Sequence, residues 1–194
     1  MNVWLARHGE TRIQGDVAVG WTDPGLSDEG RRQAAEMAHR LAGVRVGRVL
    51  SSDLRRARET AEVVARAHGL PVAVDPDLRE LSFGAWEGRR LADLWSESPD
   101  EAAAWEADVR ALPTAFGESF AAFQGRVLRA VRRIVAVGLG DGVVVVVAHR
   151  GPLALLHAHL AGMRVEAALR LPCPPGHLVR VVWPRAHGRS GELR

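Results

Sequence analysis

The sequence predicts an α/β fold in three layers, α/β/α: a mainly parallel sheet with helices on both faces. Three observations predict it. Val143–Ala148 is five valines and an alanine, apolar on both faces as a central parallel strand must be. Shorter apolar runs at 3–6, 46–50 and 71–74 alternate with helical patterns, as βαβ units do. The 194 residues, 47% hydrophobic and 25% charged, suit one globular domain with a sizeable core. That domain is expected to span 1–184, with 185–194 a flexible basic tail.

Taken in order, residues 3–6 form a short buried strand bounded by charge and glycine. Residues 12–25 carry Gly15, Gly20 and Asp23-Pro24-Gly25 and read as a loop. Trp21 within it points to function, because a loop indole needs something to pack on. Ser27 is a good N-cap for a helix whose first turn holds Asp28 and Glu29. Ala34, Met37, Ala38 and Leu41 share its inner face, and Gly43 ends it. Strand 46–50 leads to Ser52 or Asp53, either expected to cap a helix running to His68-Gly69. Arg55, Arg56 and Arg58 point in different directions there, so at most two can face a site. After strand 71–74, residues 91–110 are helical with a break near Pro99. Six acids and no base between Asp93 and Asp108 read as a solvated face. Residues 113–117 are a linker, and from Glu118 a helix presents Phe120, Phe123, Val127, Val131, Ile134 and Val135 as a core stripe. After the valine strand, Pro152 is expected to open a helix at its first position. His157 and His159 on that helix lie on different faces and make no metal pair. Residues 178–183 are the last strand, at an edge, closed by Pro184.

Composition excludes several classes. All 26 basic residues are arginine, which removes lysine Schiff bases and a Walker-type phosphate lysine. The single cysteine, Cys173, excludes an intramolecular disulfide and a cysteine-cluster metal site. No secretory signal or apolar run long enough to span a membrane is apparent, so a cytoplasmic location without membrane partners is expected. A net charge of +3 with arginines spread along the chain argues against nucleic acid.

Two strand ends each deliver a histidine: Arg7-His8-Gly9 after the first, His149-Arg150-Gly151 after the valine run. Ligands of open α/β sheets bind at the carboxyl ends of the strands. Arginine offers a planar fork to phosphate oxygens, and neutral imidazole a nucleophile or proton carrier. Gly9 is expected to let a ligand approach the backbone. A helix start supplies Arg56, and an acidic turn supplies Glu80.

In order along the chain, Arg7-His8-Gly9-Glu10-Thr11, Gly20-Trp21-Thr22-Asp23, Ser51-Ser52-Asp53-Leu54-Arg55-Arg56-Ala57, Glu80-Leu81-Ser82-Phe83-Gly84-Ala85-Trp86-Glu87-Gly88, Gly117-Glu118-Ser119 and His149 make a pattern. It resembles that of the histidine phosphatase superfamily, also called phosphoglycerate mutase-like. The resemblance implies that fold, and a metal-independent phosphomonoesterase without cofactor acting on a small phosphorylated metabolite through phosphohistidine. It assigns His8 as nucleophile, Arg7, Arg56 and His149 as phosphate holders, and Glu80 as proton donor. It places Thr11, Gln14, Trp21 and Thr22 near the substrate, and Glu118 and Arg150 are further candidates for substrate binding. Gln14 stands where the family usually has Asn, and Arg150 where it commonly has Gly; Arg150 would crowd the pocket or add an anion contact. Within the superfamily the chain looks nearest to the α-ribazole phosphatases of cobalamin synthesis, on 3–11, Pro113-Thr114, and Leu160-Ala161-Gly162-Met163. The alternatives are a broad or sugar-phosphate phosphatase, a phosphoglycerate mutase, and a non-catalytic binder of a phosphorylated ligand. The short acidic stretch 93–108, where mutases insert a basic segment, favours hydrolysis over transfer. A homodimer is compatible with the sequence.

Overall fold

The computed structural model describes residues 2–13, 15–108, 110–111, 116–136 and 142–182. Its elements in chain order are β1 (Asn2–Arg7), α1 (Asp28–Leu41), β2 (Val46–Ser51), α2 (Arg55–Ala67), β3 (Val72–Val74), α3 (Leu91–Glu97), α4 (Pro99–Ala107), α5 (Phe120–Ala136), β4 (Val143–Ala148), α6 (Arg150–Ala161), α7 (Val165–Leu169) and β5 (Leu178–Val182). The strands form one sheet in the order β3-β2-β4-β1-β5. The first four are parallel, and β5 runs antiparallel to β1 at the edge. The valine strand β4 is therefore central, between β1 and β2, as its two-sided apolarity requires.

Alternate residues of the strands feed opposite layers. Val3, Leu5, Val144, Val146 and Ala148 pack with Phe123, Val127, Val131, Leu153 and Leu156 of α5 and α6. Ala6, Val49, Val145 and Val147 pack with Met37, Leu41, Ala57, Ala61 and Val64 of α1 and α2. Helices thus cover both faces. Each fully buried valine of β4 contributes about 1.5–3 kcal/mol over its exposed state.

Local signals met or missed for identifiable reasons. The side chain of Ser27 accepts from the Gly30 N–H and caps α1. The cap of α2 differs from expectation. Its N-cap position is Leu54, and neither Ser52 nor Asp53 closes the helix. Asp53 pairs instead with Arg79, and the Arg55 N–H donates to Asp23 of the preceding loop at 2.6 Å. α6 starts at Arg150, so Pro152 is its third residue, still within the first turn where no N–H is needed. Val135 of the α5 stripe is 39% exposed, while Arg126 takes an inner position. The tail 185–194 and Gln14 lie outside the described residues, as does most of the linker 113–117.

Candidate active site

The parallel pairing of β1 with β4 brings the two histidines together. Arg7 pairs with Ala148, the His8 N–H donates to the Ala148 carbonyl at 3.1 Å, and the rings of His8 and His149 lie 5.0 Å apart. Gly9 has a different purpose from the one expected. A Cβ there would overlap the backbone of Gly30, so glycine is needed because the start of α1 crosses it, not for ligand access. The Gly9 N–H is held by Thr60 Oγ1 of α2 at 3.1 Å.

His8 is only 6% exposed. Its Nδ1 lies 2.7 Å from the Gly9 carbonyl, which can only accept, so Nδ1 carries the hydrogen. Burial first, and then the Arg56 cation, hold its pKa well below the ordinary histidine value. The ring is therefore neutral with its lone pair on Nε2. Burial contributes more to this than the neighbouring guanidinium groups.

Arg56, 1% exposed, is aimed by α2 at the same point. Its Nε–H donates to His8 Nε2 at 3.3 Å, and its two terminal nitrogens donate to the carbonyls of Thr22 (2.8 Å) and Gly20 (2.7 Å). Arg55 and Arg58 turn outward into ion pairs with Glu59 and Glu62. Arg7 Nη1 donates to the Cys173 carbonyl at 2.5 Å, while its Nε is buried without a partner among the described residues. His149 is fully buried; Nε2 meets Ser52 Oγ at 3.0 Å and Nδ1 has no partner among the described residues. Burial, then Arg56, keep it neutral too.

Glu80 lines the same cavity as His8. Its carboxylate accepts from the Leu81 N–H at 2.9 Å and from the Gly151 N–H, at the start of α6, at 3.2 Å. His8, Arg7, Arg56, Glu80, Thr11 and Arg150 line one open cavity of about 770 Å³, within the usual 300–1,000 Å³ of small-molecule sites. Neutral nucleophile, two guanidinium groups and a carboxyl around one space can bind a phosphate dianion and transfer its phosphoryl group. Among the described residues, no three His, Cys, Asp or Glu side chains are placed to hold a metal ion.

Among the other described candidates, only Arg150 borders the cavity. Trp21 and Thr22 do not line the cavity. Glu87 binds their loop, accepting from the N–H groups of Gly20, Trp21 and Thr22 and from Thr22 Oγ1, and the loop carbonyls hold Arg56. Burial raises the Glu87 pKa, but these donors outweigh it and keep the group ionised. Glu118 is turned away into a buried pair with Arg126. Arg150 lies exposed at the rim and donates to the Leu169 carbonyl at 3.1 Å. It therefore lines the edge of the pocket rather than filling it.

Several participants escaped the sequence reading. Ile13, Val17, Ala18, Phe83, Leu91 and Trp105 form an apolar wall of the cavity. The segment 93–108 is acidic outside, yet its Trp95 and Trp105 pack edge-on at 5.4 Å, and Trp95 meets Trp86 at 5.3 Å. Tryptophans ten apart across a proline break offered the only local hint of this roof.

The chain matches the family model described as histidine phosphatase superfamily (branch 1) over residues 3–193. It is 40% identical to the adenosylcobalamin/alpha-ribazole phosphatase of Escherichia coli (strain K12), over 86% of this chain and 82% of that one. It is 38% identical to the glucosyl-3-phosphoglycerate phosphatase of Mycolicibacterium vanbaalenii, over 84% of this chain and 75% of the relative. The crystal structure of the alpha-ribazole phosphatase from Shigella flexneri superposes with a TM-score of 0.82 at 34% identity, covering 98% of this chain and all of that one. Paired histidines on adjacent strand ends, a buried arginine fork and this kinship lead to one conclusion: the chain belongs to branch 1 of the histidine phosphatase superfamily and is a phosphoric monoester hydrolase.

Proposed function

We propose that the enzyme hydrolyses α-ribazole 5′-phosphate through a phosphohistidine on His8. The observation that carries the mechanism is the Nδ1–H bond of neutral His8 to the Gly9 carbonyl, which leaves Nε2 as the nucleophile in a cavity shared with Arg7, Arg56 and Glu80. The Arg56 Nε–H releases Nε2, whose lone pair attacks phosphorus as the bond to the leaving oxygen breaks, and Glu80 gives that oxygen a proton. Water then attacks the phosphoryl group, Glu80 takes its proton, and the Nε2–phosphorus bond breaks to release phosphate. Arg7, Arg56 and the unpartnered Nδ1 of His149 supply donors to the non-bridging oxygens. No step needs a cofactor.

The substrate assignment is supported by the apolar part of the cavity lining. Val17, Ala18, Phe83, Leu91 and Trp105 suit a planar aromatic base better than a hydroxylated, carboxylated sugar ester. The mycobacterial relative's name points to the latter substrate. Steady-state kinetics on both esters tests this. A kcat/KM higher on α-ribazole 5′-phosphate by about 10-fold or more is expected, the range an apolar pocket provides. A preference for glucosyl-3-phosphoglycerate would overturn the assignment.

A further inference from the structure

The Glu80 backbone oxygen is held from two sides. Trp21 Nε1 donates to it from the outer loop at 2.9 Å. Arg126 Nη2 donates to it from α5 at 2.7 Å. Two donors fill both lone pairs of one carbonyl. Arg126 is 7% exposed, is neutralised by Glu118, and also donates to the Arg79 carbonyl at 2.5 Å. That side of the clamp is rigid core. The Trp21 side is different: its indole is 43% exposed, lies under the Arg79 guanidinium at 4.8 Å, and reaches no part of the cavity. Yet the loop carrying it also supplies, from Gly20 and Thr22, the carbonyls that fix Arg56. Glu87 ties this loop to the Glu80 segment, accepting from the N–H groups of both Trp21 (2.7 Å) and Phe83 (3.0 Å).

From this geometry we infer that Trp21 is a positioning residue: its indole N–H locks the segment carrying the proton donor to the loop that holds the phosphate clamp, so Arg56 and the Glu80 carboxyl keep one fixed separation. This rests on the reading of Glu80 as proton donor. Trp21 acts through Glu80 and touches neither substrate nor reacting atoms. Loose placement of an acid weakens proton transfer in the transition state while leaving phosphate binding in place. The deficit should therefore follow the leaving group, as a loss of Glu80 itself would.

The test measures single-turnover phosphoryl transfer to His8 from a sugar 5-phosphate, whose alkoxide needs a proton, and from nitrophenyl phosphate, whose phenolate does not. The enzymes are wild type, Trp21→Phe, Glu80→Gln, the double variant, and a protein with benzothiophene replacing the indole at position 21. The last keeps the ring under Arg79 and removes only the N–H. A fold defect in Trp21→Phe would therefore not spare the inference from test. Expected for both position-21 changes is a loss of about 10-fold on the alkyl ester, a fraction of the roughly 10²–10⁴ of general acid catalysis, and under about 2-fold on the aryl ester. In the Glu80→Gln background the same changes should have no effect. Equal losses on both esters, or a loss that persists without the Glu80 carboxyl, would overturn the inference. So would a raised KM confined to bulky substrates, the mark of direct substrate contact. If Glu80→Gln itself fails to discriminate between the esters, the reading of Glu80 falls and the inference with it. If Glu80→Gln discriminates and the position-21 changes do not, only the inference falls.

Discussion

Replacing Arg56 with lysine keeps a cation and removes the fork. Three of the five N–H groups of Arg56 are committed to His8, Thr22 and Gly20, which leaves two for substrate. Charge-assisted donors are worth about 1.5–3 kcal/mol each, so two supply about 3–6 kcal/mol. At about 1.4 kcal/mol per decade that is about 10²–10⁴ in kcat/KM. Lysine can return part of this as a point charge, so Arg56→Lys should lose about 10²-fold and Arg56→Met nearer 10³–10⁴-fold. Stability should move differently. Arg56 is buried with no carboxylate bonded to it among the described residues, and burial lowers its pKa even against the pull of Glu80. Methionine relieves that desolvation, worth several kcal/mol, while leaving two carbonyls short of a donor at about 1–3 kcal/mol each. These nearly cancel, so Arg56→Met should unfold in urea within about 2 kcal/mol of wild type. The assays are kcat/KM on nitrophenyl phosphate and equilibrium unfolding. Activity retained within 10-fold, or an activity loss fully explained by unfolding, would refute the reasoning.

Two further outcomes follow from the same geometry. Gly151→Ala sets a Cβ against Glu80 Oε1 on a helix that alanine otherwise favours by about 1 kcal/mol. The same Cβ would stand 3.0 Å from the buried Phe123 ring, which offsets the helix gain, so turnover of alkyl esters should fall at least 10-fold with the thermal midpoint little changed, and turnover kept at wild-type level would show that the carboxyl has another way to point. The depressed pKa of His149 means that the unfolded chain takes up its proton first as pH falls below about 6.5. The stability it confers is thus present at neutral pH and lost on acidification. Urea unfolding between pH 6.5 and 5 should show a slope about 1.4 kcal/mol per pH unit steeper in wild type than in His149→Gln, and equal slopes would mean that the imidazole is solvated in the native state.

The legible parts of this protein were those written in short-range chemistry. Five valines in a row specify a central strand whatever surrounds them, and Ser27 followed by two acids specifies a helix start. The site was legible where side chains ride on strand ends, because β1 and β4 fix His8 and His149 by register alone. It was illegible where a distant partner overrides a local preference. Asp53 is an adequate cap by itself, but Arg79 claims it, and Asp23 from another loop caps the helix instead. Gly9 looked like room for a ligand and proved to be room for Gly30, a contact made across 21 residues. Glu118 sits in a motif beside the site, yet its charge is spent on Arg126, which occupies an inner position of α5 where helical spacing leads one to expect an apolar side chain. The acids of 93–108 concealed Trp95 and Trp105, since a run of charge reads as a solvated face whatever aromatic residues stand among it.

The central claim is that a neutral His8 accepts the phosphoryl group on Nε2. Rapid mixing of enzyme with substrate, quenching in alkali and mapping the labelled peptide by mass spectrometry tests it most directly. One phosphoryl group should appear on His8, form faster than turnover, disappear on treatment with acid, and be absent from His8→Ala. Turnover surviving in His8→Ala, or the phosphoryl group on His149 instead, would contradict the account.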